Sequence, residues 1–290
     1  MKLVVKFNLV FLVVFLLGFA ASGVVSWQVL QQNAREEVVQ NARIMMEAAS
    51  AVRSYTNTQI KPLLATQMKY EFLPQSVPAY GAQETFETLR KDHPEYAYKE
   101  ATLNPTNPRD RASDWEADIV HAFRNDSTLT EQIGLRETPQ GESLFMARPI
   151  QIKSPGCLQC HSTVEAAPQT MIARYGNANG FGWQLDEIIG AQVVSVPTTV
   201  TFARAKETFT VFMGSLAGVF AFIFIALNLL LNALVIRPVN KLAKVADEVS
   251  LGNLEAGELE ASGRDEISQL TQAFGRMRKS LVQAFQMIED

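Results

Sequence analysis

Two cysteines and a histidine form the most distinctive chemical feature of this 290-residue sequence. Cys157 and Cys160 are separated by two residues, and His161 follows directly. Two thiols at this spacing can form thioethers with both vinyl groups of a haem while the adjacent imidazole binds the iron, which makes Cys-x-x-Cys-His the attachment sequence of c-type haem. The sequence therefore predicts one covalently attached haem c, with His161 as the proximal iron ligand.

Alternative interpretations of these three residues are a redox dithiol, half of a zinc site and a chance match. A zinc ribbon needs a second pair of ligands, and the chain contains no third cysteine to supply one. A thioredoxin-type dithiol opens a helix in a βαβ unit, whereas we expect Ser154-Pro155-Gly156 to form a turn after a strand. These comparisons favour covalent haem.

The ligand on the far side of the iron is left open by the sequence. Both cysteines would be consumed as thioethers, and we expect His93 and His121 on the surface. Methionine is a competent haem ligand, and Met46 on the predicted N-terminal helix is the candidate. Tyr55 or a small exogenous ligand is the alternative, and Arg53 is a candidate for neutralising a haem propionate. The other methionines considered are Met45, Met68, Met146 and Met171.

The composition of the chain indicates a polar domain combined with a few concentrated apolar segments. The chain is 47% hydrophobic with a net charge of −4, and its mean hydropathy of +0.02 excludes both a disordered tail and a multi-spanning transporter. Residues 7–30 and 208–236 carry no charged side chain and are long enough to cross the ~30 Å hydrocarbon core. A cleaved signal peptide is the alternative for the first segment. The mild acidity gives no reason to expect nucleic-acid binding.

Basic residues beside the two apolar segments predict how the chain crosses the membrane. Lys2 and Lys6 precede the first segment, and Arg237, Lys241 and Lys244 follow the second. The positive-inside rule then places both termini in the cytoplasm of a two-pass inner-membrane protein. The predicted organisation is a cytoplasmic start at 1–6, spans at 7–30 and 208–236, a periplasmic domain at 31–206 and a cytoplasmic region at 237–290.

The outer domain begins with a long helix that has two apolar faces. One face steps by three or four residues from Val38 to Leu63, and the second contains Ile44, Ala48, Ala51 and Tyr55. Two apolar faces indicate packing in two directions, so we expect one face to meet the same helix of a second subunit in a homodimer. A helix sandwiched within one domain is the alternative.

The rest of the outer domain predicts an α+β fold. Pro62 is expected to kink or interrupt the long helix, and residues 74–108 contain the many Pro, Gly and Asn residues of loops. Ser113 opens a short capped helix. Strand patterns at 144–152 and 188–196 then indicate an antiparallel sheet.

Several separated motifs resemble the periplasmic c-type haem domain catalogued as a domain of unknown function, over roughly 35–200. They are Arg53-Ser54-Tyr55-Thr56-Asn57, Asn104-Pro105-Thr106-Asn107-Pro108, Ala147-Arg148-Pro149-Ile150, Cys157–His161 with Ala167-Pro168, Tyr175-Gly176, Gly180-Phe181-Gly182-Trp183 and Ile189-Gly190-Ala191-Gln192. The resemblance implies a PAS-like antiparallel sheet, one covalent haem and a role in redox or gas sensing. Some members are thought to use a Cys thiolate as the distal ligand, and this chain has no such cysteine.

Residues 237–290 resemble a HAMP domain. Pro238, Leu242, Val245 and Val249 alternate steps of four and three, as in the first helix of a parallel coiled coil. Leu251-Gly252-Asn253-Leu254 begins a connector. A second helix is predicted from Arg264, with Ile267, Leu270, Phe274, Met277, Leu281, Ala284 and Ile288 in the same rhythm. The resemblance implies a homodimeric four-helix bundle.

Together these features predict a transmembrane signal-transduction receptor. It senses redox state or a small gaseous ligand through one periplasmic haem c and relays the change through HAMP to a cytoplasmic partner or a missing output domain. No catalytic constellation is recognisable, so the prediction is a non-enzyme. The alternative is a membrane-anchored c-type cytochrome for electron transfer.

Overall fold

The computed structural model describes residues 3–139, 141–253, 257 and 263–289. The helices are α1 (Leu3–Tyr55), α2 (Lys61–Leu64), α3 (Pro78–Leu89), α4 (Asp114–Asn125), α5 (Pro155–His161), α6 (Gln169–Tyr175), α7 (Thr199–Leu231), α8 (Arg237–Ser250) and α9 (Glu266–Glu289). The strands are β1 (Ala97–Thr102), β2 (Gln132–Thr138), β3 (Gly141–Gln151) and β4 (Ile188–Pro197). The chain divides into two compact units, one of Met1–Trp27 with Phe209–Asp290 and one of Gln28–Thr208.

The second unit is built on a four-stranded antiparallel sheet in the order β1-β4-β3-β2. This confirms the prediction of mixed helices and an antiparallel sheet with a long N-terminal helix. β4 coincides with its predicted strand to within a residue at each end, whereas β3 begins three residues before its predicted start and ends one residue before its predicted end. The PAS-like description of the sheet stays a prediction.

The loop-rich interpretation of 74–108 is wrong, because this region contains α3 and β1. β1 was missed since it carries charged residues at adjacent positions. Lys99 reaches Glu116 with its Nζ 2.7 Å from Oε2, and Glu100 is paired inside the domain. β2 was also missed. It is an edge strand with Gly134 at its centre, which weakens the local strand pattern.

Apolar side chains of the sheet pack on both faces because successive strand residues point to opposite sides. α1 and α3 cover one face, with a core of Val38, Ala42, Met45, Met46, Ala49, Ala82, Phe86, Tyr98, Leu144, Met146, Val194 and Val196. α4 covers the other, with a core of Ala101, Ile119, Val120, Phe123, Ala147, Ala191 and Val193. The predicted buried face of α1 is thus confirmed from Val38 to Thr56, while Leu63 is exposed.

The second apolar face of α1 is exposed. Ile44 and Tyr55 are 57% and 52% exposed, and Ala48 and Ala51 are exposed as well. The helix is therefore packed within its own domain on one face only, which leaves the predicted subunit contact available.

The predicted capping box at Ser113 is confirmed. The backbone N–H of Ser113 donates to Glu116 Oε2 at 2.8 Å, and the hydroxyl of Ser113 donates to the same oxygen at 2.8 Å. The first of these bonds satisfies the backbone N–H of the N-cap residue of α4.

Pro62 interrupts the long helix as predicted. Thr56–Ile60 form a π-helical segment in which Lys61 N–H donates to Thr56 O, and α2 then begins. Proline lacks an N–H and its ring crowds the carbonyl four residues earlier, so the wider turn relieves this contact. The same arrangement recurs before Pro238, where Asn232–Ile236 are π-helical.

The first unit contains the apolar parts of α1 and α7 and the helices α8 and α9. Among the described residues, two helices are long and apolar enough to cross a membrane. Leu242, Val245 and Val249 are buried on α8, and Phe274 of α9 packs against Val245 and Val249, as the two-helix pattern predicts. Leu254 and the side chain of Ile288 lie outside the described residues.

Candidate functional site

Cys157, Cys160 and His161 lie on α5, the short helix between β3 and α6. Ser154 caps this helix, with its Oγ accepting from Gly156 N at 3.2 Å, and Pro155 occupies the first turn. The expected turn at Ser154-Pro155-Gly156 is therefore a helix start, because a serine cap followed by proline favours one. The helix follows a strand of a fully antiparallel sheet, whereas a thioredoxin-type site lies in a βαβ unit.

All three residues line one cavity of about 560 Å³. Such a volume lies in the range of about 300–1,000 Å³ that small-molecule and cofactor sites occupy. Two parts of its lining matter for the chemistry. We call α5 with the loop 180–183, of which Trp183 lines the cavity, the histidine wall, and Arg53, Glu100, Arg109 and Asp110 the charged wall.

The His161 ring is held in one orientation by its surroundings. Its Nδ1 lies 2.8 Å from the carbonyl oxygen of Gly180 and 3.4 Å from Thr106 Oγ1. The Trp183 ring stacks on the imidazole, with 3.9 Å between centroids and 18° between planes. An Nδ1–H that donates to the Gly180 carbonyl leaves Nε2 unprotonated, and this tautomer is the one that binds a metal through Nε2.

Backbone and amide hydrogen bonds hold the loop that carries Gly180. Asn104 accepts from Gly180 N at 3.1 Å and donates to Phe181 O at 3.1 Å. Trp183 N donates to His161 O at 3.1 Å. Gly180 has a φ of +85°, and a Cβ there would clash with the Thr106 side chain. Glycine is thus required at the residue that orients the imidazole.

Burial sets the protonation of the histidine wall. Burial lowers the pKa of His161, while the hydrogen bond that the imidazole donates to the Gly180 carbonyl opposes the change. The neutral imidazole is the form that binds a metal. Burial also raises the pKa of the Cys160 thiol, against the nearby charge of Lys61. This side of the cavity therefore presents an unprotonated Nε2 and a thiol that stays protonated until it reacts.

The charged wall centres on Glu100, which is only 3% exposed. Arg53 donates to Glu100 Oε2, and Tyr98 donates to Oε1 at 2.8 Å. Gln192 of β4 in turn donates to the Tyr98 hydroxyl at 2.9 Å. Burial, followed by the charge of Glu100, raises the pKa of Tyr98, so the phenol keeps its proton and remains a donor. Both oxygens of Glu100 are therefore occupied.

Asp110 contrasts with Glu100 in the same cavity. Its Oδ1 is buried without a hydrogen-bond donor. Arg109 Nε lies 3.5 Å away, and the Nη1 of the same guanidinium is 2.5 Å from Glu84 Oε1. Burial raises the pKa of the Asp110 carboxyl.

The structure brings together only part of the predicted site. Arg53 lines the cavity with Cys157, Cys160 and His161, whereas Met46 and Tyr55 do not. Met46 is fully buried in the core between α1 and the sheet, and Tyr55 lies on the exposed face of α1. Packing at these positions argues against the predicted ligand role of either residue. His93 and His121 are exposed, as expected.

In contrast to Met46, the described residues Met68 and Met171 line the cavity. Met171 is buried beside it. Met68 Sδ lies 3.1 Å from Leu73 N and 3.3 Å from Ser76 Oγ, both of which can donate to the sulfur. Sequence reasoning assigned no role to Asn104, Trp183, Glu100 or Asp110. The Glu100–Tyr98 pair sits two residues apart on β1, and only recognition of that strand would have placed both side chains on one face.

The fold and the cavity define the class of this protein as a membrane-associated domain with a Cys-x-x-Cys-His site. The chain belongs to the Tll0287-like family, which matches residues 31–197. A HAMP domain matches residues 230–283. The HAMP match and the two candidate spanning helices indicate an inner-membrane protein.

One solved structure is similar to this chain and is titled "Crystal structure of the cyanobacterial heme-protein Tll0287". It is 14% identical, covers 56% of this chain and 95% of its own, and has a TM-score of 0.43. No curated protein matches the chain.

Proposed function

We propose that this protein is a non-enzymatic transmembrane sensor that holds one covalent haem c in a periplasmic domain and signals changes in redox state or in a bound gas through HAMP. The observation that carries the proposal is that Cys157, Cys160 and His161 line one cavity, with His161 held as the Nε2-available tautomer. The family match suggests a haem cofactor, and the HAMP match suggests signal transduction.

The residues of the cavity fit a haem by their chemistry. Two thiols at the required spacing and a neutral imidazole form one wall. The cavity also has apolar lining from Phe72, Met171 and Ile189. Arg53 and Arg109 supply cations suited to carboxylates such as propionates. Haem bound here would supply an iron that changes oxidation state or binds a diatomic gas.

Each residue then has a defined task. Cys157 and Cys160 anchor the macrocycle, and His161 binds the iron through Nε2. The Gly180 carbonyl accepts a hydrogen bond from Nδ1–H, which fixes the ring and raises the basicity of Nε2 as a ligand. Trp183 covers the imidazole face and limits water at the ligand. Arg53 offsets negative charge on the cofactor while Glu100 holds the guanidinium in place.

Signalling requires two arrangements of the protein that the cofactor stabilises unequally. β4 lines the cavity through Ile189 and is followed by α7, and Arg53 lies at the end of α1. A change of charge or ligation in the cavity therefore acts on segments continuous with both candidate spans. HAMP would pass the change to a cytoplasmic partner by shifting between two packings.

A homodimer is part of the proposal. Ile44, Ala48, Ala51 and Tyr55 form an exposed apolar face on α1. On α9, Leu270, Met277 and Leu281 are exposed at coiled-coil spacing. A second copy of the chain would cover both surfaces, because in a two-fold symmetric dimer each helix face packs against the same face of the partner.

Thiol cross-linking tests the sensing function, because the two natural cysteines would be consumed by haem. We would introduce Leu270→Cys into the full-length chain in membranes and treat it with a bis-maleimide, which is redox-neutral. Gln272→Cys, exposed on another face of α9, is the matched control. We expect Leu270→Cys to form covalent dimers with a yield that changes on reduction or on addition of NO or CO, and Gln272→Cys to form few.

A Leu270→Cys yield that is the same in every state contradicts the sensor. Combined with rapid electron exchange between the haem and a soluble redox protein, that result would favour a membrane-anchored cytochrome.

A further inference from the structure

Two carboxyl groups line the cavity, the buried Glu100 and the half-buried Asp110, and their hydrogen bonding differs. Glu100 accepts from Arg53 and from Tyr98, so its negative charge is stabilised by two donors. Asp110 Oδ1 has no donor. A buried polar atom without a partner carries a desolvation cost, and a protein that retains one commonly uses it in chemistry or binding.

We propose that Asp110 takes up a proton when the cofactor site in the cavity is reduced by one electron, so that the reduction potential of the site depends on pH. This inference rests on the proposed haem site. One electron comes from an external one-electron reductant, and one proton comes from bulk water and forms an O–H bond at the Asp110 carboxyl. No group leaves, and oxidation releases the proton and the electron again. The total charge inside the cavity is thereby unchanged.

The charges around Asp110 explain why it is the carboxyl that binds the proton. Arg109, its neighbour in sequence, is drawn to Glu84 of α3, with 2.5 Å between Nη1 and Oε1, against 3.5 Å from its Nε to Asp110. On β1, Glu100 disfavours a second negative charge, and Lys99 favours it but already bonds to Glu116.

The remaining group near Asp110 is the Gln83 amide of α3, which stabilises the charged form. Burial outweighs these attractions and raises the pKa of Asp110. A neighbouring negative charge in a low-dielectric site adds to the cost of ionising a second carboxyl. An added electron makes the second ionisation costlier still, and by linkage protonation must then favour reduction.

Spectroelectrochemistry of the full-length chain in detergent tests the proposal. Midpoint potentials would be measured at several values between about pH 4 and pH 8, a window that starts at the ordinary pKa of aspartate. We expect the potential to fall as pH rises through part of this window. The limit for one proton per electron is tenfold in the reduction equilibrium per pH unit, or about 59 mV.

Three variants locate the proton. Asp110→Asn should remove the pH dependence in this window, and Asp118→Asn, an exposed carboxyl on α4, should keep it. Glu84→Gln should move the dependence to lower pH, because Arg109 is then free to pair with Asp110. This third variant keeps the test informative if Asp110→Asn fails to acquire haem.

A wild-type potential independent of pH throughout the window overturns the inference. So does an Asp110→Asn variant with the wild-type dependence, or a Glu84→Gln variant without the shift. Haem staining on a denaturing gel comes first. A chain without attached haem refutes the proposed function, whereas a haem-bearing chain with a pH-independent potential refutes only the role of Asp110.

Discussion

The histidine wall and the charged wall of the cavity are held by different interactions. Backbone geometry dominates the first, through the Gly180 carbonyl, the Asn104 clamp and the stacked Trp183. Side-chain charge dominates the second, where Arg53, Glu100 and Asp110 depend on one another. The histidine wall is suited to hold a ligand in place, and the charged wall is suited to change its charge. A sensor needs both properties.

Removing the imidazole should break the histidine wall with the largest effect. We expect His161→Ala to lose native iron ligation and to retain little haem, because no other histidine lines the described cavity. Absorption spectra of the full-length chain would measure both. His121→Ala is the control, since that histidine is exposed on α4. A His161→Ala spectrum identical to the parent would refute the assignment.

Adding one methyl group at Gly180 should disturb the same wall to a smaller extent. Gly180 and Gly176 both have positive φ, but a Cβ meets Thr106 only at Gly180, and nothing lies within 4 Å of Gly176. Gly176→Ala should cost roughly 1–3 kcal/mol from backbone strain. Gly180→Ala should cost about 1–3 kcal/mol more from overpacking, and it should also perturb the iron spectrum.

Denaturant unfolding of the two alanine variants would compare these costs. Equal losses of stability, with unchanged spectra for both, would show that the Gly180 loop does not orient His161.

Replacing Asp110 of the charged wall should have the smallest effect on stability, and the size of that effect depends on pH. The pKa of Asp110 is raised in the folded chain, so the folded state binds the proton more tightly than the unfolded state. This contribution to stability is complete below about pH 4 and is lost as pH rises through the folded pKa. Each pH unit between the two pKa values corresponds to about 1.4 kcal/mol.

Asp110→Asn should therefore be more stable than the parent near pH 7 and lose that advantage near pH 4. Thermal unfolding at both pH values would measure it, with Asp118→Asn as the control. A variant that is less stable than the parent at neutral pH would show that the Asp110 charge is stabilised in the fold.

Sequence reasoning succeeded where a local pattern determines the structure. Heptad spacing predicted the burial of Val245 and Val249, and the Ser113–Glu116 spacing predicted a helix start. Pro62 predicted the interruption of the long helix. Cys157, Cys160 and His161 lie together because they are adjacent in sequence.

It failed where partners are distant in sequence. Glu100 is an unpromising strand residue until Arg53 and Gln192 are known to surround it, and those contacts arise only when the sheet and α1 assemble. Met46 was a plausible ligand by type and by position on a helix. Which face of α1 meets the sheet decided its burial, and that depends on packing rather than on local pattern.

The attachment of haem to Cys157 and Cys160 is the central claim, and one measurement tests it directly. The full-length chain would be produced in a host with cytochrome c maturation, and a pyridine haemochrome spectrum would be recorded after denaturation and extraction with acidified organic solvent. We expect haem to stay with the polypeptide and to show the spectrum of two saturated vinyl groups, and we expect Cys157→Ala combined with Cys160→Ala to abolish this attachment. Haem that extracts fully into the solvent, or a chain that carries none, would refute covalent attachment.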